Sequence, residues 1–169
     1  YTFYLLVHTT AHSFAPAHLL QRGMSQHLIG GLVSLEALIG AVMSGVAGLL
    51  GERVEPRKLL AASLFSVVIG ITCLAYATNY PLVLVYALGS GTGNGLSTVA
   101  ATVLLLNYFG RKANLELYSL LHTISTFAVI GPLLGGVTRD LSGSFTAVFL
   151  GCAAITALIS RSGGTGFCK

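Results

Sequence analysis

Charge is what this sequence has least of. Nine Lys and Arg and five Asp and Glu make up only 8 % of its 169 residues, about a third of the usual share. With 54 % hydrophobic residues and a mean hydropathy of +0.82, a water-soluble monomer would have too few charged groups to cover its surface. Disorder is excluded on the same ground, since disordered chains are poor in aliphatic and aromatic residues. The 21 glycines show no collagen period. Cysteines are few, at positions 73, 152 and 168, and their spacing matches neither a metal site nor a redox pair, so no disulfide framework, metal or other cofactor is implied. The net charge of +4 does not mark a nucleic-acid partner, because the basic residues sit in short clusters between apolar runs. What remains is an all-α membrane protein whose surface partner is lipid.

Charges and turn residues divide the chain into six stretches, each about as long as an apolar core of about 30 Å requires. They cover residues 1–20, 28–50, 59–78, 82–106, 117–138 and 145–160. The third and fourth carry no charge, which is hard to reconcile with any setting but a bilayer. The connectors are short, so neighbouring helices run antiparallel. Alternate connectors differ in charge: Arg53, Arg57, Lys58, Arg111, Lys112, Arg161 and Lys169 lie on one side, against Arg22 and Arg139 on the other. The positive-inside rule then places both termini in the cytoplasm, with a plasma membrane as the default location. Residues 161–169, rich in Gly and Ser, read as a flexible cytoplasmic tail. Tyr1 already belongs to a span, with no initiator Met and no cleavable signal before it, so the chain reads as part of a longer protein.

Small residues recur every four positions at Gly40, Ser44 and Gly48, and again at Gly131 and Gly135 around Pro132. This spacing lets helix backbones approach closely, either as static packing or as an interface that rocks. Gly89, Gly91, Gly93 and Gly95 resemble a phosphate loop only superficially. Such loops need a strand before and a helix after, whereas this run divides one uncharged span, where close packing or local deformability explains it. Asn94, near mid-span, either contacts a solute or makes an interhelical hydrogen bond.

Glu36 is the most informative position. A carboxylate at mid-span costs about 2.5 to 3.5 kcal/mol even on a lenient insertion scale, so it must face protein or water, either as a proton carrier or as an interhelical hydrogen-bonding group. His8 and His12 are four apart and share a face of the first span with Pro16. His12 is ten residues from Arg22 and Glu36 nine from His27, which puts both about 14 Å deep at 1.5 Å per residue. A Glu and a His at one depth can share a proton or a solute. His8 lies a turn further in, at a level close to that expected for His122 of the fifth span. His8, His12, Glu36, Asn94 and His122 are therefore the candidate solute or proton pathway. Each His also has a plain reading as a neutral packing residue, and His18 and His27 read as interfacial. A zinc site at His8, His12 and Glu36 lacks the Glu that follows the first His in zinc-binding helices. Arg139 and Asp140 read as a solvated pair.

After the second span the sequence is Gly48-Leu-Leu-Gly-Glu52-Arg53-Val-Glu-Pro-Arg57-Lys58. This resembles the cytoplasmic signature of the major facilitator superfamily: a Gly, three residues, an acid–Arg pair and further basic residues. Glu55 and Pro56 stand where that family often has Gly and a basic residue. Tyr108-Phe-Gly-Arg-Lys112, Gly131-Pro-Leu-Leu-Gly-Gly136 and Asp140-Leu-Ser-Gly143 extend the likeness to the carboxyl-terminal half of such transporters. The monocarboxylate and oxalate/formate porters are the nearest subgroup, with a His near the outer end of this half's first span, as at His18.

The resemblance implies half of a major facilitator fold: six transmembrane helices forming two inverted three-helix repeats, with solute bound near the midplane against an amino-terminal half or a second copy. It assigns Gly48, Glu52, Arg53, Arg57 and Lys58 to a cytoplasmic gating motif. It also implies secondary transport of a small solute by alternating access, with a proton-coupled organic anion as the subgroup's substrate. Yet those porters embed a basic residue in the second span, where this sequence has Val42-Met43-Ser44-Gly45. Two rivals stand beside this reading. One is a six-span intramembrane serine hydrolase, for which Ser44-Gly45 and Gly89-Ser90-Gly91 are partial echoes of a nucleophile motif. The other is a complete six-span protein that works as a homodimeric transporter or channel.

Overall fold

A computed structural model describes residues 1–51 and 53–165, with side chains except at residues 3, 111–115 and 159–165. Glu52 of the basic turn lies outside the described residues, as do residues 166–169 of the tail. The described chain is helical throughout: α1 Thr2–Gln21, α2 Gln26–Leu50, α3 Pro56–Ala75, α4 Tyr80–Ser125, a 3-10 turn Thr126–Val129, α5 Ile130–Ser142 and α6 Phe145–Thr165.

The boundaries have local causes. The Ser25 hydroxyl accepts the Leu28 N–H at 3.4 Å and starts α2. Pro56 and Pro81 stand in the first turns of α3 and α4, where a missing N–H costs no helical bond. Gly143, at φ 68°, ends α5 in the left-handed conformation that favours glycine.

One expected loop is absent. Residues 107–116 were expected to connect two spans, but α4 continues through them with one non-helical residue, Gly110, at φ 72° and ψ 177°. A single glycine changes the chain direction because it enters this region without a Cβ clash. The expected fifth span, 117–138, is accordingly divided among the end of α4, the 3-10 turn and α5. Pro132 explains that division. It has no N–H to give the Ala128 carbonyl and its ring crowds that oxygen, which instead faces the Thr9 hydroxyl of α1 at 3.5 Å. At the other end, α6 runs to Thr165, five residues beyond the expected 160.

The first arm of α4 lies between α2 and α3. Its alternate glycines serve both sides, because two residues turn a helix by about 200°. Gly89 and Gly93 meet α3, where a Cβ on Gly89 would stand 2.7 Å from the Ser66 carbonyl oxygen. Gly91 and Gly95 meet α2, where a Cβ on Gly95 would stand 2.5 Å from the Gly40 carbonyl oxygen. Of the stripe at Gly40, Ser44 and Gly48, the first two join this interface and Gly48 faces open space. Gly131 and Gly135 instead bring α5 against Leu6, Thr10 and Phe14 of α1.

α1 packs on the 3-10 turn, α5 and α6, and α6 also packs on α3. The main core joins Val7, Ala11 and Leu19 of α1 to Val67, Ile71 and Leu74 of α3, Val83 of α4 and Phe149 of α6. The outer faces are apolar as well: Leu38, Leu49, Phe65, Leu133, Leu141 and Leu158 are all exposed. In water such a surface would drive aggregation; against lipid it needs no cover. Among the described residues, Gln26–Leu50, Pro56–Ala75 and Glu116–Ser142 are long and apolar enough to cross a membrane. Phe145–Leu158 is a shorter apolar helix.

Candidate functional site

Glu36 is buried in the middle of α2, only 5 % exposed. The sequence of α2 contains no Lys or Arg, so its charge is met by other helices. His8 Nε2 lies 3.6 Å from Oε1 and His12 Nδ1 lies 3.5 Å from Oε2. The two imidazoles stand one turn apart on α1 and stack with ring centres 5.9 Å apart and planes 9° from parallel. Each therefore addresses a different oxygen of one carboxylate. From α4, the Ser90 hydroxyl donates to Oε1 at 2.5 Å.

Burial grades across the cluster. The Glu36 side chain is 6 % exposed and His8 is 14 %, whereas His12 is 47 %. His12 thus connects the buried carboxylate to the surroundings. The imidazole contacts are ion-pair distances, and neither His8 Nε2 nor Glu36 Oε2 has a hydrogen-bond partner among the described residues. The buried hydroxyls of Tyr4 and Tyr86 share that property. One carboxylate oxygen and three other buried polar atoms thus stand without a hydrogen-bond partner among the described residues, which is uncommon for buried groups. Helix α1 is weakened at the same level, because Pro16 cannot donate to the His12 carbonyl.

Three of the five expected pathway residues come together here: His8, His12 and Glu36. Asn94 is exposed one turn along α4 from Ser90 and does not reach the carboxylate; its side-chain nitrogen lies near Gly40. His122 is not level with His8. It packs edge-on to Tyr118 at 4.5 Å and to Tyr1 at 6.2 Å, at the opposite end of α1 from Gln21. Depth counting fails there because the arm of α4 that carries His122 follows Gly110 directly, without the loop that the count assumes. Rings nevertheless bridge the gap, with Tyr1 stacked on Tyr4 at 6.2 Å and Tyr4 on His8 at 5.6 Å. Positions 1, 4, 8 and 12 have the spacing of one helix face, so this ladder is readable in the sequence. Ser90 is not, since its flanking glycines signal packing and nothing signals its partner.

His18, in the last turn of α1, has a packing role beyond its expected place near the interface. It is buried, with ring centres 5.9 Å from Phe145 and 5.1 Å from Phe149 of α6 in edge-on geometry. A half-apolar ring closes that helix contact. His27 is exposed. Arg139 and Asp140 form an exposed pair at 3.3 Å, with the guanidinium also 5.0 Å from the Phe145 ring.

At the basic turn, Arg57 donates a hydrogen bond to the Tyr108 hydroxyl and sits 5.6 Å from that ring's centre. The α2–α3 turn is thereby attached to α4 just before the Gly110 break, beside a cavity of about 270 Å³ lined by Glu55, Arg57, Asn107 and Tyr108. Lys58 pairs with Glu55 at 3.3 Å, both exposed. Arg53 is exposed and Gly48 open.

The serines of the hydrolase reading are engaged elsewhere. Ser90 donates to a carboxylate, and Ser44 donates to the carbonyls of Gly40 at 2.9 Å and Gly95 at 3.4 Å. Neither forms a Ser–His dyad among the described residues.

No curated protein matches the chain. Residues 1–160 match the family model of the Major Facilitator Superfamily, and the chain belongs to that family of membrane proteins, which carry small solutes across bilayers.

Proposed function

We propose that this chain is the six-helix carboxyl-terminal half of a proton-coupled secondary transporter in which Glu36, His8 and His12 carry the coupling proton. One observation supports this above all: a buried carboxylate on α2 is held by two stacked imidazoles of α1, one partly buried and one half-exposed. His12 takes a proton from the exposed side and passes it to Glu36. Proton transfer changes the charge on both partners, and with it the attraction between α1, which packs with α5 and α6, and α2, which packs on α4. A tether whose strength depends on protonation is what alternating access requires of a coupling site.

His12, Ser13 and Asn94 are exposed, and such polar groups do not suit lipid. An amino-terminal half of the same transporter covers them, enclosing the solute near the midplane; a second copy of the chain is the competing arrangement. All six helices cross the bilayer in this reading, with both termini in the cytoplasm of a plasma membrane, and the Arg57–Tyr108 contact latches the cytoplasmic end within the motif that the resemblance assigns to gating. Organic anions are the substrates of the porters the sequence resembles. With no Lys or Arg on α2, an anion here would be held by protonated His8 and His12.

The test is uptake into vesicles under an imposed proton gradient, with lactate and oxalate as first substrates and an entrapped pH dye as a second readout. Glu36→Gln abolishes proton-coupled uptake while the protein still inserts, and His12→Ala weakens the coupling. Undiminished proton-coupled uptake in both variants would remove the relay.

A further inference from the structure

We propose that Ser90 is the positioning residue of the Glu36 carboxyl group: it fixes Oε1 and so reserves Oε2 as the oxygen that exchanges protons with His12. The inference rests on the proton-relay reading for its meaning, but its structural content can be tested without transport.

The two oxygens have different surroundings. Oε1 accepts the Ser90 hydroxyl at 2.5 Å and faces His8, whereas Oε2 has no hydrogen-bond partner among the described residues and faces the half-exposed His12 at 3.5 Å. A hydroxyl donating to one oxygen fixes the carboxyl plane, whose terminal torsion is otherwise broad. A proton from the half-exposed His12 then enters at Oε2. It leaves Nδ1 of protonated His12 and bonds to Oε2 across a short closure or a single water. The imidazole is left neutral and the carboxyl protonated, so charge balances.

The backbone around Ser90 supports the assignment. Gly89 lets α4 approach α3, with a Cβ there 2.9 Å from Gly70 Cα, and Gly91 lets it approach α2, with a Cβ there 2.6 Å from the Glu36 carbonyl oxygen. Two contacts on either side of one residue leave Ser90 little freedom. A serine hydroxyl is short and reaches the carboxylate only because the helices are this close. Ser66 provides an internal comparison: its hydroxyl donates to the Gly89 carbonyl at 3.0 Å, an interhelical bond one residue away that does not touch Glu36.

Infrared spectroscopy of the protein in lipid reads the bond directly, using the pH-dependent carboxyl C=O stretch that Glu36→Gln deletes. Ser90→Ala, a smaller residue that a helix accepts readily, moves this band to higher wavenumber as a hydrogen bond to the carbonyl is lost. Ser90→Thr returns it toward the original position, and Ser66→Ala leaves it in place. His12→Ala also leaves the frequency in place but slows hydrogen–deuterium exchange of the same carboxyl. An unmoved band in Ser90→Ala overturns the proposal, and so does an equal movement in Ser66→Ala, which would mean general loosening of the interface. Failure of transport coupling with these band shifts intact would reject the relay and leave the positioning role standing.

Discussion

Gly91 of α4 lies directly against the Glu36 backbone of α2, so that a Cβ on Gly91 would stand 2.6 Å from the Glu36 carbonyl oxygen and 3.0 Å from Ile39 Cβ. Both obstacles sit at or next to the main chain, and neither moves without shifting a helix. The same contact that packs the two helices brings the only acidic side chain of α2 within reach of Ser90.

Gly91→Ala is therefore expected to cost about 1–3 kcal/mol through overpacking and to displace Glu36 from Ser90. Gly151→Ala, with nothing within 4 Å of the added atom, is expected to be neutral or to gain up to about 1 kcal/mol from helix propensity. Unfolding of both variants in one detergent gives the comparison. Equal stability would mean that the α2–α4 contact is not as tight as described.

His18 and His12 separate packing from chemistry on a single helix. His18 fills the contact with Phe145 and Phe149, so His18→Ala loses about 1–3 kcal/mol by opening a cavity and removing edge-on ring contacts. His12, whose side chain is 47 % exposed, is expected to change stability by less than about 1 kcal/mol on the same substitution. Thermal unfolding supplies the first readout and proton-gradient-driven uptake the second, with the order of the two variants reversed between them.

Gly110 is the single break in a 46-residue helix. An alanine there pays about 1–2 kcal/mol to hold a positive φ, or else the break relaxes into continuous helix. Paired spin labels on the two arms distinguish these outcomes. A lengthened distance between labels, with retained helicity, is the expected sign that the arms have straightened.

Much of the fold is legible in local chemistry. The scarcity of charge implies a membrane, and Pro56, Pro81 and Gly143 punctuate the helices where they begin and end, because each acts through its own backbone. The segment at 107–116 is less legible for a related reason. Its polar residues suit a loop, yet one glycine suffices to redirect the chain, and how many residues a bend needs depends on where the arms must pack. The level of His122 is set by that bend and follows it.

The sequence alone determined that Glu36 and His12 lie at similar depth, with His8 one turn away, since 1.5 Å per residue along a helix leaves little choice. It also determined that His8 and His12 share a face, because four residues complete about one turn. Which oxygen each imidazole meets, that Ser90 is the third partner, and that His18 belongs to an aromatic contact were decided only by tertiary packing. Those relations depend on the rotation and separation of neighbouring helices. Both are set by the glycines that pack them, and neither is a property of any one segment.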